Sequence, residues 1–488
     1  MEPQPTATRP KEVYSLTKIV FTLGPATESE EMLEKLILAG VDVCRLNMAH
    51  ADGAWTRMMI RRVREVCWRT QRHIALLMDV KGPEIRTGDL PAPVDLVAGQ
   101  LVDLLPNPPG GGEEGIFSVA VNYPLMGRDV STGTTVLVDS GLVRLEVLTS
   151  SADRVRCKVV VPGRLTSRRH INLPGVKVRL PALTAKDRAD IAVGVEEQVD
   201  FFALSFVREA DDIDILRRLL SDLKCDAHII AKIEDQSGLA NLDEIAVAAD
   251  GLMVARGDLG IEVPMEDLPL IQRRAIDTCI RLRKPVIVAT HLLESMISSP
   301  VPTRAEVSDI ATAVWSTADA IMLSGETTTG RYPLECVQLM KRVAGRIEGS
   351  AAKGYNAGLP LKTRKDRLLR AAVVLAQELG ETGIVVFTRS GNFPQTLAAL
   401  RPWRCPVYAF TDDPKVFRHM LLMWGVEPFL MNFMPSPEAT ICSAFAYLIR
   451  RGWAQKGDWM VVVTNVLAGK QTIDSIEMRQ VEASPAET

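Results

Sequence analysis

Eight short apolar runs along the chain each stop at polar or charged residues: TKIVFTLGP, VDVCRLNMAH, IALLMDVKGPE, DFFALSFV, HIIAKIED, DGLMVARGDLG, PVIVATHLLES and DAIMLSGET. Runs of this length flanked by amphipathic stretches predict buried strands alternating with helices. They begin near Thr17, Val41, Ile74, Asp200, His228, Asp250, Pro285 and Asp319, and most steps suit one strand, one crossover helix and their loops. Eight such units predict an α/β fold, a (β/α)₈ TIM barrel, whose chemistry gathers at the C-terminal ends of the strands. Those ends carry Arg45, Asn47, Asp79, Lys232, Glu234, Asp258, Thr290 and Glu326.

The step from Ile74 to Asp200 is too long for one unit. The segment 89–183 has its own pattern of short alternating strands (LVDLLP, TTVLVDSG, LVRLEVLTS, RVRCKVVV) between Pro, Gly and Asp turns. It predicts a small inserted antiparallel β-barrel or sandwich, placed as a lid over the mouth. Pro124 and the Gly-rich loop argue against helices there. The barrel then spans 16–88 and 184–350. After a polar link, 351–488 alternates helices with the strands GIVVFT, PVYAFTDD and WMVVVT and predicts a separate C-terminal α/β domain. Residues 1–15, Pro- and Thr-rich without an apolar centre, read as a disordered tail and not a secretory signal.

Helices are expected over 28–38, 211–223, 269–283 and 333–348. For the first, Thr27 is the expected N-cap, with Glu30 completing a capping box and Gly40 as the stop.

Composition narrows the function classes. The 488 residues are 47% hydrophobic and 24% charged, with a net charge of −3. That balance offers no basic field for nucleic acid or an anionic membrane. No apolar run approaches the roughly 20 residues a membrane helix needs. The eight cysteines are scattered with no C-x-x-C pair, which fits reduced thiols in a cytoplasmic protein. P-loop, H-E-x-x-H and G-x-S-x-G motifs are absent, and the one G-x-G-x-x-G match, Gly110 to Gly115, opens no helix.

The candidate chemistry is metal-assisted work on an anion. Lys232 and Glu234, two apart on one strand, share a face, and Asp258 ends the next strand. Two carboxylates from neighbouring strands suit Mg²⁺ or Mn²⁺. Arg45 and Arg86 favour a phosphate, and the Gly-bearing turn at Gly257 offers amides to a carboxylate or phosphate. Thr290 reads as a carboxylate ligand, a proton relay or a helix cap, and His50 as a nucleotide contact or a loop residue.

The segments TKIVFTLGPAT, RLNMAH, KGPEIRTG, INLPG, LPALTAKD, ALSFVR, AKIEDQSGLANLDEI, GLMVARGDLGIEVP, KPVIVATHLLESM, PTRAEVSDIA and IMLSGETTTGRYP together resemble the pyruvate kinase family. The resemblance implies phosphoryl transfer from phosphoenolpyruvate to ADP, giving pyruvate and ATP. Lys232 would stabilise the transferring phosphoryl group, and Glu234 and Asp258 would bind the divalent metal. Arg45 would hold the substrate phosphate, while Gly257, Asp258 and Thr290 would hold its carboxylate, with Thr290 near the proton delivered to the enolate. Arg86, Lys186 and His50 would serve the nucleotide. The resemblance also implies a homotetramer and an allosteric site for a phosphorylated effector.

The chain departs from the family pattern at several positions. The family's Phe-Ser-His-Gly is here Met48-Ala49-His50-Ala51, so a potassium-binding hydroxyl is missing. Asn47, Asp79 and Val80 are the remaining K⁺ candidates, and Glu84 matches potassium-dependent members. His291 stands for a usual Gln and Thr312 for a usual Asn. The effector loop at Thr388 to Pro394 keeps Ser390 and Gly391 but loses its following basic residue. Two alternatives accompany the leading reading: a non-catalytic relative of the family, and a barrel lyase acting on a pyruvate enolate.

Overall fold

Each of the eight apolar runs becomes a parallel strand in a computed structural model that describes residues 14–106, 113–350, 354–380, 382–468 and 471–482. The strands are Lys18–Thr22 (β1), Val43–Asn47 (β2), Ala75–Val80 (β3), Phe201–Leu204 (β4), His228–Ile233 (β5), Gly251–Ala255 (β6), Val286–Ala289 (β7) and Ala320–Leu323 (β8). They pair in sequence order and close through β8 and β1. The runs are apolar throughout because both faces are buried. Ile19, Phe21, Cys44, Leu46, Leu76 and Met78 pack outward against the helices. The intervening Val20, Val43, Ala75, Leu77, Phe201, Ile230, Met253 and Ile287 fill the barrel.

The long step between β3 and β4 carries two further sheets, one of six strands and one of two, around a shared apolar core. All four expected strands are present, as Leu101–Leu105, Thr135–Val138, Val143–Ser150 and Val155–Val161. Pairing is antiparallel except between Leu101–Leu105 and Phe117–Ala120. The expectation of no helix in this segment is corrected by one turn at Met126–Asp129, just after Pro124. The preceding strand already ends at Ala120, and Pro124 lies before the N-cap Leu125, where its missing N–H does not obstruct the turn. Most of the Gly-rich loop lies outside the described residues.

The four expected barrel helices form within two residues of their expected starts. Thr27, however, is not the N-cap of the first. Helix Glu30–Leu38 is capped by Ser29, whose side chain accepts from the Met32 amide. Thr27 is buried and donates instead to Gly24 and Thr327 carbonyls. Gly40 ends the helix at φ 95°, a left-handed conformation that glycine adopts without strain.

The C-terminal sheet has five strands. The expected three are flanked by Val426–Leu430 and by Gln471–Gln480, the latter antiparallel at the edge. Residues 1–13 of the expected tail lie outside the described residues, but Tyr14 and Ser15 do not belong to a loose tail. Tyr14 Oη donates to the Gly425 carbonyl and Ser15 is buried. Leu16 and Thr17 amides donate to the Glu348 carboxylate, which fixes this segment between barrel and C-terminal sheet.

Candidate active site

The polar residues of the mouth continue the barrel's inward-facing rows. A strand alternates its faces, so the inward row Val43 leads to Arg45 and Asn47, Leu77 to Asp79, Ala203 to Ser205, and Ile230 to Lys232 and Glu234. The apolar layers exclude water from below, and the next inward positions hold the charges.

Asp79 is the centre of this group. Arg45 Nε donates to its Oδ2 at 2.7 Å, and Lys232 Nζ and Ser205 Oγ donate to Oδ1 at 3.1 and 3.2 Å. Lys232 also donates to Ser205 Oγ at 2.7 Å and pairs with Glu234 Oε1 at 2.9 Å. Glu234 Oε2 accepts the Phe206 amide at 2.7 Å. Arg45 Nη1 donates to Thr22 Oγ1 at 3.0 Å. All of these side chains are buried.

Burial opposes each charge and the partners decide the outcome. Burial alone would raise Asp79, but Arg45 and Lys232 hold it below the usual carboxylate range. Burial would lower Lys232, but Asp79 and Glu234 raise it, so it stays cationic. Glu234 is pushed up to about 7 by burial, with Asp258 and Asp79 adding to the rise against the pull of Lys232. Two cations thus face two carboxylates here, and Asp258 adds a third negative charge that Glu234 feels.

Asp258 and Thr290 form a neighbouring group on a cleft of about 770 Å³, lined also by Gly257, His291, Thr312 and, from the inserted domain, Ser140. Asp258 lies in the first turn of helix Arg256–Glu262. The Gly257 amide donates to Thr290 Oγ1 at 2.7 Å. In this arrangement that amide is spent on Thr290 rather than offered to a ligand. A side chain at Gly257 would place a Cβ 3.3 Å from both Thr290 Oγ1 and His291 Cε1, so those side chains would have to give by a few tenths of an ångström.

The three residues expected at a nucleotide divide. Lys186 Nζ donates to the Met48 carbonyl at 2.8 Å and pairs with Asp190 at 2.5 Å, which ties it to the loop carrying exposed His50. Arg86 sits apart, held by both oxygens of Glu84 and by the Arg168 carbonyl. Of the potassium candidates, Asn47 Oδ1 accepts the Ala49 amide at 3.1 Å, Asp79 is fully engaged as above, and Val80 is a buried strand end. Glu326 does not face the mouth as a reactive group. Its carboxylate accepts the amides of Leu293 and Ser324 and braces their loops.

Two contributors escape a reading of the sequence. Ser205 bridges Lys232 and Asp79, and its signal is its position two residues past inward-facing Ala203. Arg256 reaches the carbonyls of Ala289 and Thr290, and no sequence pattern marks that reach.

Comparison with known proteins agrees with this geometry. Residues 14–337 match the family model described as pyruvate kinase, barrel domain, and residues 366–478 match pyruvate kinase, alpha/beta domain. The chain is 42% identical over 476 residues to plastidial pyruvate kinase 2 of Arabidopsis thaliana, covering 95% of this chain and 81% of that protein. It is 41% identical over 469 residues to a pyruvate kinase of Geobacillus stearothermophilus, covering 93% and 78% respectively. Among solved structures, a pyruvate kinase from Cryptosporidium parvum superposes with a TM-score of 0.90 at 32% identity, over 96% of this chain and 97% of that one.

Proposed function

The chain belongs to the pyruvate kinase family, and from that premise we propose how its own residues carry the reaction. It is a phosphotransferase that moves the phosphoryl group of phosphoenolpyruvate to ADP, giving pyruvate and ATP. The observation that carries the assignment of roles is the buried convergence of Arg45 and Lys232 on one carboxylate, Asp79. Two fixed cations at a barrel mouth suit a phosphoryl group whose charge spreads over several oxygens in the transition state.

In this reading Arg45 binds the substrate phosphate and Lys232 stabilises the phosphoryl group in transit. Asp79 holds both cations in place and Ser205 adds a second hold on Lys232, so little reorganisation is needed at the moment of reaction. The substrate carboxylate is taken by the Thr290 hydroxyl and by the backbone amides of Asp258 and Gly257, the latter released from Thr290 Oγ1 when substrate binds, and the Thr290 hydroxyl lies toward the carbon that receives a proton. His50 serves the nucleotide from the loop after β2, Lys186 from the first turn of helix Ala185–Glu196, which reaches that loop, and Arg86 from the stem of the inserted domain.

Glu234 and Asp258 fit a divalent cation: both offer hard carboxylate oxygens, and with Asp79 they set three carboxylates against the two cations Arg45 and Lys232. Mg²⁺ or Mn²⁺ held there would neutralise charge on the transferring group's oxygens. The K⁺ set is less complete. Ala49 supplies no hydroxyl, which leaves Asn47, Asp79 and Val80 as the candidate ligands. No step is routed through potassium.

A phosphorylated effector is assigned to the pocket of about 550 Å³ beside Thr388, Arg389 and Ser390. Its walls include Arg283, Lys365 and Phe393. A homotetramer is proposed from family membership, and light scattering tests it. A cytoplasmic location is proposed from the eight free cysteines. No helix among the described residues is long and apolar enough to cross a membrane.

The test is pyruvate release from phosphoenolpyruvate, ADP and Mg²⁺ in a coupled assay, with and without K⁺ at matched ionic strength. Turnover without K⁺ is the result that would assign Ala49 a real change in site chemistry. Lys232→Met is expected to cut turnover by about 10³-fold or more, as loss of a fixed transition-state charge does, with an unchanged circular dichroism spectrum. Undiminished turnover in that variant would remove Lys232 from the mechanism.

A further inference from the structure

We infer that Arg256, braced by Asp309, is the positioning residue that presents the Thr290 hydroxyl to the reacting carbon. The inference rests on the proposed role of Thr290. Its starting point is backbone conformation: Thr290 and His291 are consecutive left-handed residues, at φ 68° and 57°. A β-branched residue is disfavoured there, and two such residues in a row persist only where surrounding contacts hold them.

Arg256 supplies those contacts. Its Nη2 donates to the Thr290 carbonyl at 2.7 Å and its Nε to the Ala289 carbonyl at 3.3 Å. Nη1 donates to Asp309 at 2.7 Å and to Gln272 at 3.3 Å. One guanidinium thus ties the strand end of β7 to two different helices. The following residue grips the same threonine from the other side, since the Gly257 amide donates to Thr290 Oγ1. Side chain and neighbouring amide together fix both the backbone and the hydroxyl.

The arrangement also governs the hydroxyl proton. Thr290 Oγ1 donates to the Ala289 carbonyl at 2.7 Å, the same carbonyl that Arg256 Nε reaches. When the hydroxyl turns toward substrate, that carbonyl keeps a donor, so no polar group is stranded. Phosphoryl transfer leaves the enolate of pyruvate. Its terminal carbon gains one proton as the oxygen becomes a carbonyl. Thr290 gives or relays that proton and regains one from solvent, with no net change. A lysine at position 256 has one compact ammonium in place of a planar fork and cannot hold both carbonyls and Asp309 at once.

The experiment compares wild type, Arg256→Lys, Asp309→Asn and Thr290→Val. It measures kcat, KM for both substrates, Mg²⁺ activation, and deuterium exchange into the methyl group of pyruvate, which reports the proton step alone. Arg256→Lys is expected to lower kcat and methyl exchange together by ~10–100-fold, in line with slight misplacement of a reacting group, with KM for ADP and Mg²⁺ activation unchanged. Asp309→Asn, which leaves the residues around Asp258 intact, is expected to lower exchange in the same direction by a smaller factor. It carries the test if Arg256→Lys does not fold. Wild-type exchange in Asp309→Asn and in a folded Arg256→Lys, with Thr290→Val impaired, would overturn the inference alone. Wild-type exchange in Thr290→Val would overturn the Thr290 reading and the inference with it. Loss of Mg²⁺ activation in step with exchange would overturn it too, by placing the effect at Asp258.

Discussion

Glu234 sits where two demands conflict. Burial and the nearby Asp258 and Asp79 push it up to about 7, while Lys232 at 2.9 Å favours its charged form. Because this acid lies above its ordinary value, the neutral form dominates below about pH 7 when no cation is bound. A divalent cation needs the carboxylate, so binding at lower pH must expel a proton. Apparent Mg²⁺ affinity is therefore expected to fall as pH drops below about 7, by up to tenfold per unit for one proton. Calorimetry in buffers of different ionisation enthalpy would detect the released proton. An affinity that stays flat between about pH 6 and 8 would show that the cation does not compete for this proton. At this scale the sequence was readable where strand periodicity alone decides. Lys232 and Glu234 share a face because they are two apart, and in the structure Lys232 pairs with both Asp79 and Glu234. Ser205 is less legible, because a serine after a strand has many uses. Arg256 carries no such signal, because its partners Ala289, Thr290 and Asp309 are distant in sequence and two of them contribute only carbonyls.

Helix Arg256–Glu262 carries Asp258 near its start and ends at Glu262, which ties it to the inserted domain. Asn172, on the strand that returns from that domain, donates to Glu262 Oε1 at 2.8 Å, and Gln236 donates to the Glu262 carbonyl. Glu262 is pushed up to about 7, by burial first, with Asp235 and Asp258 adding to it and Asn172 opposing. A carboxylate raised in the folded state contributes its full stability below its unfolded value, near 4.5, and loses it as pH rises through the folded value. Above about pH 7 the protein keeps a charge that it would fold better without. Glu262→Gln retains an acceptor for Asn172 and removes that charge. Its Tm is expected to exceed wild type by a few degrees at pH 8, with the gap closing toward about pH 4.5. A lower Tm at pH 8 would show that the charge itself holds the joint. Element boundaries were legible where caps and glycines punctuate the chain, as at Gly40. They were not where two candidates compete: Thr27 and Ser29 both precede the first helix, and the tertiary contact of Thr27 with Thr327 leaves Ser29 to cap.

The barrel's lower end is closed by the C-terminal domain rather than by its own loops. Phe417, Leu421 and Leu422 join the cluster of barrel-interior side chains, and His419 stacks on His228 at 3.7 Å. Ion pairs surround this plug: Arg418 with Asp200 at 2.6 Å, Lys415 with Asp226 at 2.8 Å, and Arg401 with both oxygens of Asp319 at 3.0 and 2.6 Å. The third is the most buried, and Asp319 also accepts the Val286 and Trp424 amides. None of this was legible in the chain, because opposite charges far apart in sequence do not announce their pairing and a net charge of −3 does not locate them. A buried pair adds little over an apolar one, yet removing a single partner strands the other charge. Asp319→Ala is therefore expected to cost about 3–5 kcal/mol in denaturant unfolding, while the double change Asp319→Leu, Arg401→Met costs clearly less than that single change. Because Asp319 immediately precedes β8 and Arg401 belongs to the C-terminal domain, the single variant should also loosen the junction. Hydrogen exchange is then expected to rise at both β8 and Pro414–Met420. A double change that costs as much as the single one would mean that the lost amide contacts of Asp319, not the stranded Arg401, set the stability of this junction.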